Sequence, residues 1–184
     1  MRKDFGSKAW MYPLPVLIIG TYDEDGKPNA MNAAWGGIYN DDLFYLCLSR
    51  NHKTTENILK NRAFTVSFAT QDQLVACDYV GIASGNKVPD KFAKAGFTAA
   101  KSSFVNAPVI NELPVTLECE LVSAEGENYV GRILNVSADE SVLSDDGQID
   151  YTKLKPVTYD PVHHHYVALG ARVGAAFSDG KALM

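Results

Sequence analysis

Apolar residues fall in short blocks along this chain, and turn signals separate the blocks. "PVLIIGTY" (15–22) runs into the Asp-Gly turn of "DEDGKP" (23–28), and "NAMNAAWGGIY" (29–39) follows, so the two read as a hairpin. "DLFYLCLS" (42–49) is apolar at nearly every position and predicts a strand buried on both faces. "AFTVSFA" (63–69) alternates, with Phe64, Val66 and Phe68 on one side and Thr65 and Ser67 on the other. In the second half, "PVTLECELVSAE" (114–125) places Val115, Leu117, Cys119 and Leu121 inward and Thr116, Glu118 and Glu120 outward, and "NYVGRILNVSA" (128–138) follows a turn at Gly126.

Helical patterns are few and short. "NHKTTENILKNR" (51–62) offers Thr54 as a cap, Glu56 in the first turn, and Ile58 and Leu59 as an apolar edge. "QDQLVACDYVG" (71–81) reads as a second helix, and 82–98 as a Ser/Gly/Asn loop that becomes a short helix ending at Gly96. The turn-rich tail beyond 145 is expected to wrap the strands. Adjacent antiparallel strands with so few helices between them point to a β-barrel or sandwich. No repeat or linker divides residues 1–184, which read as one domain.

Composition narrows the classes. An apolar fraction of 46% and a charged fraction of 21% are those of a globular protein, and a net charge of −5 disfavours nucleic acid or an anionic membrane as partner. Cys47, Cys77 and Cys119 are widely spaced and form no CxxC pair, so reduced thiols and a cytoplasmic location are expected. Arg2 and Lys3 precede an apolar run, but Pro13 and Pro15 break it and no small-residue cleavage site follows, so no signal peptide is read. No stretch approaches the roughly 20 apolar residues of a membrane span.

Two segments carry candidate chemistry. In "LSRNHKTTENI" (48–58) a strand ends at Ser49, Arg50 and Lys53 follow, and a helix starts at Thr54. Helix starts expose unpaired N–H groups, so cations and hydroxyls beside one make either a phosphate site or an ordinary solvated turn. In "MNAAWGG" (31–37) the small residues let a flat ligand approach the backbone, with Asn32 as a two-way amide and Trp35 as a wall; a bulged strand with a core Trp is the other reading. In an extended segment His163 and His165 share a face and His164 points away, which is not a metal-ligand set, so no metal is expected. No nucleophile stands with a base and an orienting group, so no catalytic side chain is assigned, and chemistry here would belong to a cofactor.

With "VSFAT", "CDYVGIASGNKVPDKF" and "APVINELPVTLECEL" in the same order, these segments resemble the flavin reductase-like, FMN-binding split-barrel family, closest to its flavoredoxin-type branch. The resemblance covers nearly the whole chain. It implies a mainly β fold, a six-stranded antiparallel Greek-key split barrel with short peripheral helices, assembled as a homodimer around noncovalent FMN. It places Asn32, Ala33, Ala34 and Trp35 against the isoalloxazine and ribityl chain. Ser49, Arg50, Lys53 and Thr54 fall at the phosphate, and Ser84 and Lys87 on a loop near the flavin. The implied function moves reducing equivalents from NAD(P)H or a donor protein through FMN to a small-molecule or protein acceptor. A non-enzymatic electron carrier and an FMN or haem storage protein are the alternatives. Many reductases of this superfamily carry a His in a Gly-Asp-His-like stretch. Here "EGENYVGRI" has Tyr129 at the matching place, so the resemblance supports the FMN fold more than NAD(P)H turnover.

Overall fold

A computed structural model describes residues 1–184. The chain starts with β1 (Leu14–Pro15), β2 (Leu17–Tyr22), β3 (Pro28–Ala33), β4 (Gly36–Asn40) and β5 (Leu43–Cys47). Helix α1 (Lys53–Asn61), strand β6 (Ala63–Phe68) and helices α2 (Leu74–Ile82) and α3 (Lys91–Lys94) come next. The short pair β7 (Ala99–Lys101) and β8 (Pro108–Ile110) leads into the long pair β9 (Val115–Glu125) and β10 (Asn128–Ala138), and α4 (Tyr151–Leu154), β11 (Val157–Asp160) and β12 (His165–Ala168) follow. No helix is long and apolar enough to cross a membrane.

The expected first hairpin forms because Asp23 organises its turn. The Asp23 carboxylate accepts from the N–H groups of Asp25 at 3.0 Å and Lys27 at 2.8 Å, and Gly26 takes φ +76°. The main sheet is antiparallel, in the order β3-β2-β6-β9-β10-β5-β4. Its two edge strands are consecutive in sequence, with only Ala34 and Trp35 between them. The sheet therefore curls until its edges nearly meet, which is a split barrel. Counting β3 and β4 as one bent strand turns the seven strands into the expected six.

The barrel interior holds Leu17, Ile19, Leu46, Phe64, Val66, Leu117, Cys119, Leu121 and Tyr129, among others. Each such large apolar side chain, once fully buried, contributes about 1.5–3 kcal/mol. Gly131 makes room for this packing, since a Cβ there would stand 2.4 Å from Cζ of Phe64.

A second layer covers the outer face of β2, β3 and β6. Val16, Ile18, Ala30, Cys77, Val80, Phe92, Phe97 and Ile110 pack together there, bringing α2, α3 and β8 onto the barrel. This layer corrects the sequence reading of β9, because Thr116 and Glu118 are buried rather than outward. Their polar atoms are satisfied: Thr116 pairs with Ser67 at 2.8 Å, and Glu118 accepts from Ser102 Oγ and from Asn135 Nδ2 at 2.6 Å.

Other differences have similar local causes. β5 is not buried on both faces; Phe44 and Leu46 face the barrel, while Leu43, Tyr45 and Cys47 are half-buried, the last two beside an open cavity. His52 takes the N-cap position of α1 without a side-chain cap bond, so Thr54 lies inside the first turn, and of the expected apolar edge only Ile58 is buried while Leu59 is exposed. The tail does not wrap the barrel along its whole length. β11 and β12 extend a small sheet with β1, whereas from Val167 to Met184 every residue but Ala175 is exposed.

Candidate functional site

The bend between β3 and β4 is one wall of a cavity of about 380 Å³. That volume is in the range of small-molecule sites, and ten of its fifteen lining residues are hydrophobic. Met31, Asn32, Ala33, Ala34 and Trp35 line it from the bend, and Cys47, Leu48, Ser49 and His52 from the end of β5. Asp78, Gly81 and Ile82 of α2, with Tyr159 and Tyr166 of the tail sheet, also line it. Trp35 is 51% exposed, so it is a rim residue and not a core Trp. The bend is held by the Cys47 N–H, which donates to the Trp35 carbonyl at 2.8 Å. Its first glycine is required: a Cβ on Gly36 would stand 2.8 Å from both Leu46 Cδ2 and the Tyr45 carbonyl oxygen.

Beyond Ser49 the cavity meets the start of α1. The Thr55 hydroxyl donates to the His52 carbonyl at 2.6 Å and draws the connecting turn tight. The backbone N–H groups of Lys53 and Thr54 meet no acceptor in the chain. Arg50 donates through Nε to the Gly126 carbonyl at 2.8 Å, which fixes its guanidinium beside the β9–β10 turn. Lys53 pairs with Glu56 at 2.8 Å, and that hydrogen bond holds its ammonium above the usual lysine range. Free N–H groups and the Arg50 guanidinium at a helix start, with Lys53 balanced by Glu56, suit an anion on a chain of net negative charge.

The 83–90 loop lies against the same helix start. Asn86 Nδ2 donates to the Asn51 carbonyl at 2.9 Å, and Gly85 touches the Lys53 side chain. Ser84 and Lys87 on this loop are exposed and line no part of the main cavity.

Asn32 to Trp35 and Ser49 thus share one cavity, and Arg50, Lys53 and Thr54 form the helix start next to it. Sequence reasoning missed His52, Asp78, Gly81, Tyr159 and Tyr166. Asp78 and Gly81 lie in "CDYVG", whose helical pattern showed no sharp polar face, and the tyrosines sit in the segment expected only to wrap the barrel. Tyr166 donates to Asp78 Oδ1 at 2.7 Å, and burial, reinforced by that bond, pushes its phenol pKa well up. The His run forms a turn, not an extended ligand set. His164 takes φ +59° and its Nδ1 meets the Tyr159 hydroxyl at 2.6 Å, while His163 Nδ1 meets Asp160 at 2.7 Å. Tyr129 is in the barrel interior at 1% exposure and does not face the cavity. Burial pushes the thiols of Cys77 and Cys119 up to about 12, which makes them packing groups.

The flavin reductase-like domain model matches residues 9–165. The fold is similar to the flavoredoxin of Desulfovibrio vulgaris (Miyazaki F), with 38% identity, a TM-score of 0.94 and coverage of 98% of this chain and 100% of that one. A flavoredoxin from Methanosarcina acetivorans is 27% identical with a TM-score of 0.90, each chain covered in full. An FMN-binding protein of Thermus thermophilus shares the fold at 22% identity and a TM-score of 0.73, over 95% of this chain and 97% of that one.

Proposed function

The chain belongs to the flavin reductase-like family, and from that premise we propose that it is an FMN flavoprotein that moves reducing equivalents between a donor and an acceptor. The observation that carries this reading is that the cavity ends against the start of α1. A mostly apolar slot walled by Ala33 and Ala34 ends at Ser49 and His52, and the next residues are a helix start with two unbonded N–H groups, flanked by Arg50 and Lys53. A flat ring, a polar chain and a terminal phosphate are the ligand that such a sequence of environments fits. The names of the flavoredoxins and of the Thermus FMN-binding protein point the same way.

In this proposal Asn32, Ala33, Ala34 and Trp35 border the ring and ribityl chain, and Ser49, Arg50, Lys53 and Thr54 hold the phosphate. Ser84 and Lys87 extend the phosphate side through the loop on Lys53. Bound FMN would supply the hydride and electron chemistry. The chain would orient the ring, exclude water with its apolar lining, and neutralise the phosphate. Exposed Trp35, Ile38 and Tyr39 beside a second apolar cavity of about 530 Å³ support assembly as a homodimer. The lack of a disulfide framework fits a cytoplasmic location.

Purification tests the reading directly. The protein should be yellow or take up FMN, and the flavin released on denaturation should be FMN; a colourless protein with no FMN affinity refutes the proposal. The donor is the second question. Tyr129, at the matching place, carries no imidazole and faces the barrel interior, so no ring nitrogen comes to the cavity from there, which favours an electron carrier over an NAD(P)H-dependent reductase. Anaerobic stopped-flow reduction separates the two. Fast bleaching by NADH or NADPH establishes the reductase, and bleaching only by a reduced protein donor establishes the carrier.

A further inference from the structure

The Asn32 side chain is locked in one orientation. Its Nδ2 donates to the Cys77 carbonyl at 3.1 Å and to the Tyr166 hydroxyl at 3.3 Å. A carbonyl can only accept, so the amide nitrogen must face α2. The Tyr166 hydroxyl gives its own proton to Asp78 at 2.7 Å, which leaves its oxygen to accept from Asn32. Gly81 allows this approach, since a Cβ there would stand 2.9 Å from the Asn32 Cβ. Both amide hydrogens are thereby engaged inside the protein. The Asn32 Oδ1 bonds to no group of the chain and is not sealed off, and the residue lines the cavity. A side chain that by itself both donates and accepts is reduced to an acceptor.

We propose that Tyr166 and Asp78 are positioning residues that hold Asn32 as a fixed hydrogen-bond acceptor for a ring N–H of the bound flavin. This rests on the FMN reading and deepens it. The isoalloxazine carries an N–H at N3 in both redox states and gains one at N5 on reduction. An acceptor at N3 strengthens binding of both forms alike. An acceptor at N5 favours the reduced form. In either case a free asparagine could rotate to offer its NH2 group, and the Tyr166–Asp78 pair removes that choice. The low local dielectric of a mostly apolar cavity makes the polarity of this one group consequential.

The test uses the full chain loaded with FMN or with FMN methylated at N3, and reads affinity and midpoint potential in the parent and in Asn32→Leu, Tyr166→Phe and Asp78→Asn. If the acceptor meets N3, the parent prefers FMN over the methylated analogue by roughly 3- to 10-fold, the worth of one hydrogen bond, and Asn32→Leu removes the preference. If it meets N5, Asn32→Leu lowers the potential, by about 30 mV for a tenfold loss of preference in a two-electron couple. In both cases Tyr166→Phe and Asp78→Asn shift the same readout in the same direction by a smaller amount. An Asn32→Leu protein that binds FMN with neither readout changed overturns the acceptor. A response in Asn32→Leu with none in Tyr166→Phe or Asp78→Asn overturns the positioning role. A parent protein without any flavin affinity refutes the functional reading itself, a different result from either.

Discussion

Gly85 packs directly on Lys53: a Cβ added to Gly85 would stand 3.0 Å from the Cβ of Lys53 and 2.7 Å from Asn29 Oδ1. Neither neighbour can easily yield. Asn29 is held by its amide, which donates to the Thr54 hydroxyl at 2.8 Å, and Lys53 is the first residue of α1. Gly85→Ala should therefore push the 83–90 loop off the helix start. Overpacking of this kind costs about 1–3 kcal/mol. The expected outcome is a lower unfolding midpoint in denaturant together with weaker FMN binding, and a variant equal to the parent in both would show that the loop tolerates the methyl group.

Arg50 offers a charge to the proposed phosphate while its Nε stays on Gly126. Arg50→Ala should weaken FMN binding by about 1.5–3 kcal/mol, the range for a hydrogen bond to a charged group. Riboflavin lacks the phosphate and should bind the variant and the parent alike. Titration of both flavins by fluorescence quenching measures the difference, and an equal loss for the two would remove Arg50 from the phosphate.

Much of this arrangement was legible in the sequence, for identifiable reasons. Strands marked by alternation or by an Asp-Gly turn were found within a residue or two, because period and turn chemistry are local. The helix start after Ser49 was visible as cations and hydroxyls at the end of an apolar run. The bend at Ala34–Trp35 was not, since "NAMNAAWGGIY" reads as one strand and only closure of the sheet divides it between two edges. The burial of Thr116 and Glu118 was equally hidden, because their partners Ser67, Ser102 and Asn135 come from other parts of the chain. For the same reason the Asp78–Tyr166 pair, 88 residues apart, left no local trace.

Gly36 belongs to the motif that forms the cavity wall, and its tolerance is a test of the bend itself. Gly36→Ala would bring a methyl carbon to 2.8 Å from the Tyr45 carbonyl oxygen and 2.9 Å from Leu17 Cδ1. A backbone oxygen in a paired strand cannot rotate away, so β4 must shift from β5. The expected cost is about 1–3 kcal/mol. Thermal unfolding should show a lower midpoint, while Gly37→Ala, with nothing within 4 Å of its Cβ, should leave it nearly unchanged.

Lys91 gives stability a pH dependence with an uncommon sign. It is 4% exposed, and its ammonium donates to the carbonyls of Val80 at 2.9 Å and Ala83 at 2.8 Å at the end of α2, with no carboxylate partner. Burial pushes its pKa down from 10.5 to about 8. Between about 8 and 10.5 the unfolded chain therefore holds a proton that the folded protein has released. Stability rises with pH wherever the unfolded state binds more protons, so this residue makes the protein more stable as pH climbs through that window. The whole effect is on the order of 3 kcal/mol at 1.36 kcal/mol per pH unit of displacement. A neutral amine keeps two hydrogens, enough for both carbonyls, so the helix end stays capped. Lys91→Met removes the titration. The difference in unfolding free energy between parent and variant, measured in denaturant from pH 7.5 to 10.5, should move in the parent's favour as pH rises, and a difference that stays flat would mean that Lys91 titrates as it does in the unfolded chain.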